Sequence, residues 1–108
     1  MAIKRMCSLT RLKPECVAAY REYHADVWPE LLEAYREAGI RKISCFLKGC
    51  DLVVYSEVDE SRFEKRKDWL AAQDVEKRWS ALMIELQDTS QPSRKLEEVF
   101  RMDDAAEL

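Results

Sequence analysis

The stretch RKISCFLKGCDLVVYSEV, residues 41–58, decides the fold. Residues 41–47 and 52–58 are strand-like runs, and Lys48-Gly49-Cys50-Asp51 between them is a short break holding a glycine. Two such runs on so short a connection read as a β-hairpin. Their apolar residues are not confined to one face. Ile43, Cys45 and Leu47 alternate with Ser44, Phe46 and Lys48, and Leu52-Val53-Val54-Tyr55 holds no charged member.

Upstream of the hairpin, Gly39 stands where a glycine ends a helix. The apolar side of that helix is Leu31, Leu32, Tyr35 and Ala38; Asp26 is its expected N-cap, with Pro29 tolerated in the first turn. An earlier helix starts at Pro14 and runs toward His24. Val17, Tyr20 and His24 fall at i, i+3 and i+7 and so share one face of it. Residues 3–12 read as a first strand, with Met6, Cys7 and Leu9 as candidate inward residues. Downstream, Asp59 or Ser61 opens a helix through Phe63, Trp69 and Leu70. Another helix begins near Asp74 and carries Val75, Trp79, Leu82, Met83 and Leu86 at helical spacing. Residues 88–94, with Pro92, read as a loop. Residues 96–102 read as the last strand and 103–108 as a frayed tail.

The order β, helical segment, β, β, helical segment, β is the split βαβ pattern. It predicts an α+β, ferredoxin-like fold: an antiparallel four-stranded sheet with helices on one face. The other sheet face must then meet water or a partner. Strands this apolar predict a homodimer that buries the two open faces against each other.

A chain of 108 residues makes one domain, residues 1–108, with one modest core. A hydrophobic fraction of 47% and a charged fraction of 36% suit a soluble globular protein. The net charge is −3 and the signs are interspersed; Lys65-Arg66-Lys67 is flanked by Glu64 and Asp68. This argues against nucleic-acid binding. No apolar run approaches a membrane span, and residues 1–7 hold no signal-peptide core. The expected location is the cytoplasm, where Cys7, Cys16, Cys45 and Cys50 stay free thiols. With no Cys-x-x-Cys pair and 1 histidine, no metal site is expected.

That histidine, His24, lies in YREYHADVWPE, residues 20–30. Imidazole is the side chain that ordinarily titrates near neutral pH, which makes His24 the acid–base candidate. A polar surface histidine at a helix end is the competing reading. Tyr20, one turn earlier, reads as an amphipathic core residue or as a hydroxyl for a ligand. Trp79 reads equally as helix–sheet packing or as a flat binding face.

Five elements stand in order along the chain. They are Tyr20-x-x-x-His24-x-x-x-Trp28-Pro29-Glu30-Leu31; Gly39 before a strand; Tyr55-Ser56-Glu57-Val58; Asp74-Val75-x-x-Arg78-Trp79-x-x-x-Met83; and Leu96-Glu97-Glu98-Val99-Phe100. Together they resemble the L-rhamnose mutarotase family of dimeric α+β barrel proteins. The resemblance implies a cofactor-free isomerase that interconverts the α and β anomers of a 6-deoxyhexose, working as a homodimer with a sugar pocket in each subunit. It implies that His24 is the acid–base residue and that Tyr20 and Trp79 line the sugar site. Three departures bear on the choice of sugar and bring in L-fucose as an alternative. Ser80 stands where these enzymes commonly carry a second tryptophan, Ile43 where they often carry a tyrosine, and the loop at residues 88–93 is short.

Anomerisation suits these residues. Ring opening moves a proton off the anomeric hydroxyl and another onto the ring oxygen, a task for a group titrating near neutrality. The sugar already mutarotates in water, so general acid–base catalysis of roughly 10²–10⁴-fold with orientation is sufficient. Dimeric α+β barrels also host monooxygenases, some binding haem through a histidine, which is an analogy of fold alone. A non-catalytic sugar-binding module is the third reading.

Overall fold

The computed structural model describes residues 2–102. Strand β1, Ile3–Arg11, leads through a 3₁₀ turn at Pro14–Cys16 into helices α1, Val17–Ala25, and α2, Pro29–Glu37. Strands β2, Ile40–Lys48, and β3, Asp51–Asp59, form the expected hairpin. Helices α3, Glu60–Ala72, and α4, Asp74–Leu86, follow, and a short strand β4, Arg94–Lys95, closes the order. The sheet runs β2-β3-β1-β4 with every pairing antiparallel, the ferredoxin-like arrangement.

Register decides which residues face the helices. Directly paired residues share a face, and successive residues alternate faces. Thr10 pairs with Leu52, and both are buried under the helices, as is Leu12. Cys7 pairs with Tyr55 and Leu9 with Val53, which puts all four on the open face. Of the three residues expected inward, Met6 has the helix-facing parity; Cys7 and Leu9 do not.

Local chemistry sets the helix ends. Proline forces the residue before it into extended backbone. Trp28 is accordingly the N-cap of α2, at φ −57° and ψ 126°, and its carbonyl accepts from the N–H groups of Leu31 and Leu32. Asp26, the expected N-cap, instead closes α1. Asp59 caps α3, its carboxylate accepting from the Arg62 N–H. Gly39 ends α2 at φ +94°, and its carbonyl accepts from the Asp59 N–H at 2.8 Å. A Cβ there would lie 3.1 Å from the Arg62 Cβ, so both backbone and packing select glycine.

The core forms two clusters. Leu12, Tyr20, Leu52 and Leu86 make one, and Ala34, Ala38 and Leu70 the other.

The last strand differs from expectation. Residues 96–102 are not a strand; pairing ends at Arg94–Lys95, with one further bond from the Leu96 N–H to the Cys7 carbonyl. The reason is burial. Val99, Phe100 and Met102 are 87%, 81% and 84% exposed, so a single chain offers these apolar side chains no second layer. Arg5 anchors the segment by gripping Glu98 with its guanidinium. The tail expected at 103–108 lies outside the described residues. No described helix is long and apolar enough to cross a membrane.

Candidate active site

A cavity of about 510 Å³ opens between the helices and the sheet, a size typical of small-molecule pockets. His24 and Tyr20 of α1, Tyr35 of α2, Cys45 of β2 and Trp79 of α4 all line it. Tyr20 and Leu52 belong to the first core cluster and Tyr35 packs on the second, so the cavity draws its walls from both.

The helical frame of α1 orients the imidazole. His24 Nδ1 lies 2.9 Å from the Tyr20 carbonyl oxygen, one turn back. A carbonyl only accepts, so Nδ1 carries the hydrogen and Nε2 is left as the basic nitrogen of the neutral ring. The Tyr20 ring stacks on the imidazole at 4.0 Å with 23° between the planes. Trp79 meets it edge-on at 5.2 Å. Trp79 is held in turn by Trp28 at 5.0 Å and Tyr23 at 6.4 Å. The Arg78 guanidinium covers Trp28 at 5.5 Å. Trp28 therefore acts as a buttress behind Trp79, alongside its role at the α2 cap.

The tyrosine hydroxyls are kept protonated. Burial, with the adjacent Cys45 thiol, pushes Tyr20 well above the ordinary tyrosine range. Burial, followed by the charge and hydrogen bonding of Glu76, does the same to Tyr35. Glu76 Oε1 accepts from Ser80 Oγ at 2.9 Å.

The three residues singled out from the sequence thus meet at one cavity, although α1 and α4 are far apart in the chain. The His24 ring meets a backbone carbonyl, and Asp26 and Glu30 are exposed. Glu57 serves the other side of the sheet, accepting from the Tyr55 hydroxyl at 2.7 Å and pairing with Lys42 at 3.8 Å. Cys45 shares the cavity with His24, whereas Cys7 sits on the open face. Of the three departures, Ile43 lines the cavity, Ser80 sits behind the wall on Glu76, and the loop residues Ser90, Gln91 and Pro92 border a different hollow. Tyr35, Thr10 and Gln87 were not singled out as site residues. Tyr35 follows the fully buried Leu31 by one turn and so shares its face, which reads as core until the cavity is seen. Among the described residues no three His, Cys, Asp or Glu side chains gather into a metal-holding group.

Comparisons with known proteins bear on the family and the fold. The sequence profile of the L-rhamnose mutarotase family matches residues 5–102. The L-rhamnose mutarotase of Bacillus subtilis is 32% identical over 104 residues, covering 94% of this chain and all (100%) of that one. That of Burkholderia ambifaria is 35% identical over 78 residues, 72% of this chain and 74% of the relative. The crystal structure of an L-rhamnose mutarotase from Formosa agariphila superposes with a TM-score of 0.72 at 28% identity, covering 93% of this chain and 99% of that one. An antibiotic biosynthesis monooxygenase superposes at a TM-score of 0.59 with 16% identity, over 91% of this chain and 99% of its own, which is a likeness of fold.

Proposed function

The chain belongs to the L-rhamnose mutarotase family, and from that premise we propose that it interconverts the α and β anomers of L-rhamnose by acid–base ring opening. His24 moves the proton, and Tyr20 and Trp79 hold the sugar. The observation that carries this reading is the shared cavity, in which an imidazole anchored through Nδ1 stands between a stacked tyrosine and an edge-on tryptophan.

The chemistry follows from that arrangement. Nε2 takes the proton of the anomeric hydroxyl as the bond from C1 to the ring oxygen breaks, and the ring oxygen gains a proton. The product is the open-chain aldehyde. Rotation about C1–C2 presents its other face, and the reverse steps close the ring as the other anomer. Both oxygens are attached to C1, so one imidazole can serve them in turn. Trp79 offers an apolar face to the C–H side of the pyranose.

Saturation-transfer NMR between anomeric protons tests this directly. The protein should accelerate exchange of L-rhamnose above the buffer rate, with L-fucose run beside it as the comparison sugar. Exchange of both sugars at the buffer rate refutes the reading.

The open sheet face is assigned to a second copy of the chain. Phe46 is 60% exposed there, and Val99, Phe100 and Met102 lie bare at the sheet edge, an apolar surface that a second copy would bury. A monodisperse monomer by sedimentation at micromolar concentration refutes the homodimer. Four free cysteines suit a reducing cytoplasm.

A further inference from the structure

We propose that Tyr35, backed by the Glu76 carboxylate, is a sugar-hydroxyl contact of the cavity, with Glu76 as its positioning residue. This rests on the mutarotase reading above.

Tyr35 lines the same cavity as His24, from a different helix. The surrounding wall is largely aliphatic: Leu31, Leu32, Ile43, Val54 and Met83. A tyrosine and a carboxylate set behind such a wall cost free energy unless their polar atoms are satisfied. Glu76 is only partly satisfied. Its Oε1 accepts from Ser80, whereas Oε2 is buried with no hydrogen-bond partner among the described residues. For a residue that merely packs α2 on α4, an idle buried carboxylate oxygen is a defect. A ligand removes the defect. A sugar O–H donating to the Tyr35 oxygen turns its hydroxyl hydrogen onto the idle Oε2, and such chained hydrogen bonds strengthen one another. Burial and the Glu76 charge both hold Tyr35 in its neutral, donating form. Ser80 has a role here as well: where a second tryptophan is common, its hydroxyl fixes Glu76.

The test uses the full chain and L-rhamnose. Tyr35→Phe keeps the ring and removes only the hydroxyl; Glu76→Gln keeps the shape and removes the charge. In anomer exchange, Tyr35→Phe should raise KM roughly three- to tenfold with kcat within about twofold, the signature of a lost binding contact. Glu76→Gln should raise KM in the same direction, and the double variant should be no worse than Tyr35→Phe alone, since Glu76 acts through Tyr35. A role in packing alone would lower Tm and leave KM where it was. An unchanged KM in folded Tyr35→Phe overturns the proposal, as does full additivity of the two losses. Titration of the tryptophan fluorescence with L-rhamnose separates this from the mutarotase reading. If the wild type binds without catalysing and Tyr35→Phe binds more weakly, the contact stands and the mutarotase reading falls. If no sugar binds the wild type, both fall.

Discussion

Replacing His24 by asparagine separates chemistry from architecture. The asparagine amide nitrogen occupies the place of Nδ1, so it can still donate to the Tyr20 carbonyl that Nδ1 meets at 2.9 Å. What disappears is Nε2, together with the ring that stacks on Tyr20 at 4.0 Å and meets Trp79 at 5.2 Å. An aromatic pair is worth about 0.5–1.5 kcal/mol, so two of them put the stability loss at about 1–3 kcal/mol. A domain with about 5–15 kcal/mol in hand remains folded. The catalytic loss is larger. General acid–base catalysis supplies about 10²–10⁴-fold, or about 2.7–5.4 kcal/mol of barrier at 1.36 kcal/mol per decade. Saturation transfer between the α and β anomeric protons of L-rhamnose, with the buffer rate subtracted, reads this loss, and a thermal melt of the same sample reads the other. The expected result is a fall of at least about 100-fold in the catalysed rate, alongside a melt showing a folded protein. A folded His24→Asn protein that exchanges the anomers within about threefold of wild type would refute the acid–base role.

Three further outcomes follow from the packing and the buried tyrosines. Leu12→Ala empties a fully buried site against Tyr20, Leu52 and Leu86; it should cost about 2–5 kcal/mol in urea unfolding, and a loss under about 1 kcal/mol would contradict the core assignment. Gly39→Ala should destabilise more than Gly49→Ala in the same assay. Both glycines have positive φ, but a Cβ at Gly39 meets Arg62 and Phe63 while one at Gly49 meets open space. Left-handed backbone costs about 1–2 kcal/mol at each, and equal losses would show that the crowding is relieved. Tyr20 and Tyr35 are both raised above the ordinary tyrosine value by burial first. The unfolded chain therefore binds fewer protons at high pH, and the stability these residues contribute is whole below about pH 10 and lost above it. For the buried Tyr20 the slope is about 1.4 kcal/mol per pH unit. Thermal midpoints should fall above pH 10 and fall less in Tyr20→Phe; identical declines would place the alkaline sensitivity elsewhere.

The strands of the hairpin, the starts of α3 and α4 and the placing of His24 one turn after Tyr20 were legible because they depend on neighbours along the chain. Alternation, capping residues and helical spacing act over a few residues, and no distant partner overrides them here. Two of the misreadings have local and non-local causes respectively. Proline's effect on Trp28 outweighed the N-cap preference of Asp26, both of them local, and the rigid constraint won. Residues 96–102 carry a strand-like pattern, but a strand needs a surface to cover, and one chain does not supply it.

By itself, then, the sequence determined the order of elements, the face each helix buries and the presence of one imidazole in a helical frame that orients it. Only the tertiary structure decided which side chains from other elements meet that imidazole. Trp79 from α4, Cys45 from β2 and Tyr35 from α2 reach the cavity through the docking of helices on the sheet. The hydroxyl of Ser80 turns to Glu76 rather than to the cavity for the same reason. Periodicity fixes a side chain's direction about its own helix axis. The distance and crossing between two helices come from how their surfaces interlock, and no single segment carries that information.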